Sequence, residues 1–283
     1  MKLLVGLMRR LDPKGSSTKR RPIPLYAGEA ERDGLRAAGR FNASVLDHLR
    51  PMVKPGVTTG ELDRAALVYI TEHGHQSATI GYQGYRHALC TSVNDCVCHG
   101  IPDDDAVLAE GDIVNIDCTT IVDGFHGDSS ETFMIGEVSG EAKQLVQDTH
   151  DALWAAINTV TPGCSVIEIG YAVTKLARKN RRGVVEKYQG HGVGRDFHQG
   201  PDVPHFPHPP SRRDVLRPGT CFTIEPMLNA GSKETDPPAG DGWTVLTRDR
   251  SLSAQFEHTV LMTENGPEPL TLTRNGPQEG HVF

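Results

Sequence analysis

Val53-Lys54-Pro55-Gly56-Val57-Thr58, followed by Glu61 and Ala65, returns about 107 positions further on as Val160-Thr161-Pro162-Gly163-Cys164-Ser165, followed by Glu168 and Ala172. Both copies carry the same device. Pro-Gly ends one helix, and Thr58 or Ser165 caps the next, with an acid three residues later closing a capping box. Core-facing residues at helical spacing precede each copy: Leu35, Ala38, Phe41, Val45 and Leu49 before the first, and Leu145, Thr149, Ala152, Ala156 and Val160 before the second. Each copy therefore implies a pair of helices. A second match follows at an offset of 108, where Leu108-Ala109-Glu110-Gly111 leads through an extended run to Ile116-Asp117, and Leu216-Arg217-Pro218-Gly219 leads through another to Ile224-Glu225. Two matches in the same order at nearly one offset argue for an internal duplication. Two copies this long do not stack as a solenoid. The expected architecture is one α+β domain, strands inside and four helices outside, with an active site where the halves meet.

The chain's 283 residues suffice for a substantial core and lie near the length of ~250–300 at which single cores stop growing. Hydrophobic residues at 37% and charged residues at 23%, with Gly 30 and Pro 19, give ordinary globular usage with many loops, which excludes disorder and fibrous repeats. A net charge of -7 argues against nucleic acid as the main partner of the folded body. Residues 1–21 differ, carrying Lys2, Arg9, Arg10, Lys14, Lys19, Arg20 and Arg21 against Asp12. Residues 1–27 are read as a basic, flexible extension, a solvated leader in preference to a transient contact with ribosomal RNA or another polyanion. Residues 28–283 are read as a single domain, with halves at about 28–135 and 141–272. The apolar run at 3–8 is too short for a signal peptide and lacks a small-residue cleavage site. No stretch approaches the ~20 apolar residues of a membrane span. A cytoplasmic protein with no membrane partner is expected. Cys90, Cys96, Cys98, Cys118, Cys164 and Cys221 form no Cys-x-x-Cys pair, so they are expected as reduced, mostly buried small hydrophobes.

The chemistry begins at Asp117. The run Asp112-Ile113-Val114-Asn115-Ile116-Asp117-Cys118-Thr119 is rich in strand formers, and Asp123-Gly124 is a strong hairpin-turn signal. A two-residue turn there pairs Thr119 with Asp128. Asp117 then lies on the same face as Asp128 and diagonal to it. Two carboxylates aimed at one point repel unless a cation or a proton lies between them. A turn role accounts for Asp123. It does not account for Asp117 and Asp128, which sit in predicted strands where Asp is disfavoured, so metal ligation is favoured for this pair.

The second half adds His191 in Gly190-His191-Gly192-Val193-Gly194, Glu225 in Thr223-Ile224-Glu225-Pro226-Met227, and Glu257 in Ser253-Ala254-Gln255-Phe256-Glu257-His258. A histidine between glycines follows a turn as readily as it binds an ion, so His191 counts only as part of the set. Four carboxylates with one imidazole form an oxygen-rich group suited to a pair of divalent first-row ions ~3.5–4 Å apart.

Six runs carry a resemblance: His99-Gly100-Ile101-Pro102, Asn115-Ile116-Asp117, Asp123-Gly124-Phe125-His126-Gly127-Asp128, Gly190-His191-Gly192-Val193-Gly194, Ile224-Glu225-Pro226 and Gln255-Phe256-Glu257-His258. In order and spacing they are similar to those of type I methionine aminopeptidases, over roughly residues 28–272. The short gap between Glu225 and Glu257 resembles type I rather than type II, which carries a long helical insertion there. The eukaryotic zinc-binding extension is not matched, so the likeness is to the bacterial type.

This resemblance implies the pita-bread fold, two pseudo-symmetric halves with a curved antiparallel sheet inside and helices outside. It implies two divalent metal ions per chain, with Co, Mn, Fe, Zn and Ni all compatible. Asp128 and Glu257 would bridge them, His191 and Glu225 would complete the first site, and Asp117 the second. Glu225 would take a proton from the attacking water, His198 would steady the developing oxyanion, and His99 would contact the scissile amide. The implied substrate is the N-terminus of a nascent polypeptide. Its initiator methionine would be removed when the second residue is small. Thr79, Tyr82, Tyr85, Cys90, Phe197 and Trp243 would line the slot for the thioether, with His99 and His198 also touching substrate. A monomer is expected. Thr79 stands where many members have cysteine and Arg86 where proline is common, and the loop 232–241 is not readable. The rival readings are an Xaa-Pro aminopeptidase or dipeptidase of the same fold, and a non-catalytic binding module.

Overall fold

A computed structural model describes residues 22–283. Four helices appear where the repeat implies them: α1 (Glu29–Leu49), α2 (Thr59–Glu72), α3 (Gly140–Thr159) and α4 (Ile167–Lys179). At the head of α2 the Thr58 side chain accepts from the Glu61 amide at 3.1 Å, and the Glu61 carboxylate accepts from the Thr58 amide at 2.8 Å, the expected capping box. The expected second box does not form. Helix α4 begins after Val166, and the Ser165 hydroxyl donates instead to the Ser211 carbonyl at 3.1 Å. The short turn Pro209–Arg213 lies beside this helix start and offers Ser165 a competing partner, which no local pattern reveals.

The two Pro-Gly turns match closely. Gly56 and Gly163 have φ of 90° and 89°, values only glycine adopts readily. Gly56 donates to the Leu108 carbonyl at 2.8 Å and Leu108 donates to that of Val57 at 2.8 Å. Gly163 donates to Leu216 at 2.7 Å and Leu216 to Cys164 at 2.9 Å. In each half, therefore, the first repeated motif is hydrogen-bonded to the second by the same ladder.

The strands are β1 (Gln76–Ser77), β2 (Leu89–Val93), β3 (Cys96–Cys98), β4 (Ile113–Val122), β5 (Phe125–Met134), β6 (Gly183–Val184), β7 (Gly190–Gly192), β8 (Gln199–Val203), β9 (Cys221–Ile224), β10 (Met227–Asn229), β11 (Val245–Leu246), β12 (Ser253–Gln255), β13 (Glu257–Thr263) and β14 (Gly266–Pro269). Nine of them form one antiparallel sheet in the order β1-β4-β5-β13-β9-β7-β8, with β2 also paired to β4 and β14 to β13. The centre of the sheet joins β5 of the first half to β13 and β9 of the second.

Register follows from the core. On β4, Val114, Ile116 and Cys118 enter an apolar cluster with Val45, Leu49, Leu62 and Ile70 of α1 and α2. Asn115, Asp117 and Thr119 must then face the other way. A slip by one residue would expose that apolar row, at about 1.5–3 kcal/mol for each large side chain. In the second half, Phe222, Ile224, Phe256 and Val260 pack against α3 and α4 in the same manner. The helices thus hold the sheet so that its polar row points into the space between the halves.

Tyr26 falls inside the stretch expected to be a flexible extension, yet it is 5% exposed and packed in the body against Phe125 and Val193. Residues 1–21, with the basic cluster, lie outside the described residues. All six cysteines are free, and all but Cys164 are buried. Among the described residues no helix is long and apolar enough to cross a membrane.

Candidate metal centre and substrate pocket

The hairpin β4–β5 turns at Asp123 and Gly124, both at positive φ, and pairs Thr119 with Asp128 and Asp117 with Ser130. On the far side of β5, Ser130 pairs with Glu257 of β13. Pleating puts Asp117, Asp128 and Glu257 on one face. Glu225 follows β9 two residues after Thr223, on the same face of its strand, since Phe222 and Ile224 face the core.

His191 is held in β7 by close packing. A Cβ on Gly190 would press on the Thr223 carbonyl at 2.7 Å, and one on Gly192 would collide with the Gly200 carbonyl. The Gly-His-Gly pattern therefore reflects backbone approach from both neighbouring strands. The Gly192 carbonyl accepts from His191 Nδ1 at 3.0 Å, which puts the ring proton on Nδ1. Nε2 faces Asp128 Oδ2 at 3.5 Å and Glu225 Oε1 at 3.8 Å.

Asp117, Asp128, His191, Glu225 and Glu257 line one cleft together with Thr119, Phe197 and His198. Ligand atoms of Asp128, His191 and Glu257 all lie within 4.8 Å of one another. Burial pushes the Asp117 carboxyl up to about 7. Asp128, Glu225 and Glu257 are raised well above the carboxylate range, first by burial and then by their carboxylate neighbours. A buried cluster of this kind is electrostatically unstable without protons or cations among the oxygens. Four carboxylates and an imidazole in a fixed tautomer fit hard or borderline divalent cations.

The apolar slot is also assembled. Tyr85, Cys90, Phe197, Trp243 and Ala78 form one cluster, with Tyr82 packed against it. Tyr85 meets Trp243 edge-on at 4.8 Å and Tyr82 lies 5.0 Å from Phe197. Thr79 is buried beside them, its hydroxyl donating to the His87 carbonyl at 2.7 Å. Phe197 belongs to both the slot and the cleft, and the His198 ring lies 4.1 Å from that of His191. His99 is not among the cleft-lining residues; it stands against Trp243 at 6.4 Å and Tyr188 at 5.6 Å, with a left-handed φ of 58°. Burial holds its ring down to about 3, so it is neutral. Arg86 is exposed beside the slot. The stretch 232–241 doubles back on β11, where Asp236 donates to the Leu246 carbonyl at 2.9 Å and Ala239 to that of Thr244 at 2.8 Å, which sets Trp243 into the slot.

Several supporting residues have no motif of their own. Thr119 donates to Asp128 Oδ1 at 2.7 Å and Thr223 to Glu225 Oε1 at 2.6 Å. His205, fully buried, accepts the Glu225 amide at Nε2 at 2.9 Å, and the Gln255 amide nitrogen donates to Glu225 Oε2 at 3.3 Å. The two threonines could have been found by pairing arithmetic, since each shares a strand face with the acid it serves. His205 could not.

Comparison with known proteins agrees with this geometry. The sequence profile of metallopeptidase family M24 matches residues 33–264. A methionine aminopeptidase of Escherichia coli strain K12 is 50% identical over 244 residues, covering 85% of this chain and 91% of that one. The crystal structure of methionine aminopeptidase from Rickettsia prowazekii superposes with a TM-score of 0.85 at 43% identity, covering 89% of this chain and all of that one. A prolidase of Pyrococcus horikoshii shares the fold alone, at a TM-score of 0.71 and 19% identity over 88% of this chain and 64% of that one. The fold is thus the pita-bread fold, and the chain belongs to metallopeptidase family M24, among its methionine aminopeptidases of the bacterial type I.

Proposed function

We propose that the chain removes N-terminal methionine from polypeptides whose second residue is small, using two divalent cations held by Asp117, Asp128, His191, Glu225 and Glu257. The observation that carries this reading is the junction at Phe197 and His198. One short loop presents an aromatic wall to the apolar slot and an imidazole to the carboxylate cleft. A methionine side chain seated against Tyr82, Tyr85 and Trp243 would bring its own peptide bond to the metal-binding groups and little else.

Bound there, the cations would supply Lewis acidity to a water and to the scissile carbonyl. Glu225, held by Thr223 and Gln255, takes the proton of the attacking water and passes it to the leaving amine. His198 donates to the carbonyl oxygen as charge develops on it. His99 stays neutral and touches the scissile amide from the wall of the slot. The Tyr85 hydroxyl, donating to the Leu89 carbonyl at 2.8 Å, turns its polar end away from the slot and leaves the ring for the thioether. The polypeptide N-terminus is the partner, and residues 28–283 form one catalytic domain.

The Xaa-Pro peptidases share the fold, so the fold does not discriminate; the aromatic slot does. Metal analysis combined with turnover of Met-Ala-Ser and of an Xaa-Pro peptide tests the reading. Two metals per chain with turnover of Met-Ala-Ser alone is expected. Preferential cleavage of the Xaa-Pro peptide would overturn it, as would the absence of bound metal and of any turnover.

A further inference from the structure

The loop 193–198 joins β7 to β8 and carries Phe197 and His198, yet its anchor comes from outside the motifs that define the site. Tyr26 reaches it from the segment before α1. Its hydroxyl accepts from the Arg195 amide at 2.9 Å and donates to Gln199 Oε1 at 3.2 Å. Gln199 Nε2 in turn donates to the Val193 carbonyl at 3.1 Å. One hydroxyl therefore ties both ends of the span 195–199 in which Phe197 and His198 lie, and it uses its donor and an acceptor to do so. A Cβ on Gly194 would collide with that hydroxyl.

Tyr26 is itself fixed on every side. Its amide donates to the Gly219 carbonyl at 2.8 Å, its carbonyl accepts from Arg32 Nε at 2.9 Å, and its ring meets Phe125 edge-on at 6.2 Å. The anchor is thus rigid, and the loop it holds is irregular. The same loop is gripped opposite by His126, whose backbone amide and ring Nδ1 both approach the Gly194 carbonyl at 2.8 Å and whose ring stacks on Phe197 at 5.8 Å. Strand pairing of Gln199 with Gly192 holds the far end, and among the described residues Tyr26 alone bonds to both Arg195 and Gln199.

We propose that Tyr26 is a positioning residue for the reaction: its hydroxyl sets the placement of the loop that carries Phe197 and His198. This rests on the proposed role of His198. Chemistry of this kind is sensitive to placement, and a shift of about 1 Å in a positioned group can lower the rate on the order of 100-fold. Loss of the hydroxyl leaves the part-buried Arg195 amide and the buried Gln199 side chain each short of a partner, so the loop shifts to find water or new partners.

The test is Tyr26→Phe, which keeps the ring against Phe125. Metal content per chain should stay unchanged, and kcat on Met-Ala-Ser should fall roughly ten- to a hundredfold. Amide hydrogen exchange should quicken across 194–199 and stay unchanged in β13. A purely structural tyrosine would lower the unfolding midpoint and leave kcat of the folded enzyme as it was. In a His198→Ala background, Tyr26→Phe should lower kcat by less than about twofold further, because the group it positions is gone. Unchanged exchange in the loop, or a full kcat penalty in the His198→Ala background, overturns the proposal. If His198→Ala leaves kcat intact, the reading of His198 fails instead, and loop exchange in Tyr26→Phe still decides whether Tyr26 places the loop.

Discussion

The Thr119 hydroxyl donates to Asp128 Oδ1 at 2.7 Å, while Asp128 Oδ2 faces His191 Nε2 at 3.5 Å. One carboxylate oxygen is thereby tethered, and the other is aimed into the cleft. Thr119→Val keeps the shape and removes the tether. Metal affinity should fall about 10- to 100-fold with all five proposed ligands intact. Asp128→Ala and Glu257→Ala should each go further and abolish binding of two metals per chain, since each deletes a proposed bridge that screens repulsion between the ions. Metal stoichiometry by elemental analysis and affinity by calorimetry check both. Two metals with normal turnover in either alanine variant would show the ligand set to be wrong.

Substrate scope follows from the proposed function. Met-Gly, Met-Ala and Met-Ser peptides should release methionine, and Met-Leu, Met-Phe and Met-Lys peptides should not. A panel of peptides differing only at the second position, followed by chromatography of free methionine, measures this. Efficient release from Met-Lys peptides would exclude a site restricted to small second residues.

Acid stability should depend on His150 of α3. Its ring is buried against Phe256 and Phe283, and its Nε2 accepts from Trp154 Nε1 at 3.1 Å, a bond only the neutral ring can make. Burial holds it down to about 4 from an ordinary value of 6.5, with Asp151 opposing and His281 assisting. The folded pKa lies below the unfolded one, so the unfolded chain takes up the proton first. Its contribution is complete above pH 6.5, is lost as pH falls toward 4, and changes no further below. The full span is worth about 3 kcal/mol. His150→Gln keeps an acceptor for Trp154 without titrating. Urea unfolding at pH 7 and pH 4 should show the variant gaining about 2–3 kcal/mol relative to the parent over that interval. An unchanged difference between the two proteins would mean that His150 is protonated in the folded state.

The pattern of helices and the site's polar row were legible because both are periodic. Asp117 and Asp128 could be placed on one face from a turn and a pleat, and β4–β5 has that register. The duplication was legible for a similar reason, since Pro-Gly turns need glycine wherever φ is positive. Ser165 was misjudged because a cap competes with any nearby carbonyl, and Ser211 lies 46 residues away. The stretch 232–241 folds by pairing with Thr244, Leu246 and Thr247, contacts without a local period. His205 and Tyr26 serve the site through long-range hydrogen bonds, His205 to the Glu225 amide and Tyr26 to the Arg195 amide and the Gln199 side chain, which leave no trace in spacing.

His198 gives the sharpest separation of mechanism from metal binding. Its ring lies 4.1 Å from that of His191, tilted by 44°, and lines the cleft. If it donates to the developing oxyanion without holding a cation, His198→Ala should keep the metal content and lose turnover. Removal of one such donor costs on the order of 100- to 1,000-fold in kcat, about 2.7–4 kcal/mol. KM should change far less, because the bond strengthens only as charge forms on the oxygen. His198→Gln should recover part of the loss, since its amide can still donate. Steady-state rates on Met-Ala-Ser, read beside metal analysis of the same samples, separate the alternatives. A variant that drops a metal would make His198 a ligand, and one with unchanged kcat would reduce it to a loop residue packed on Phe197.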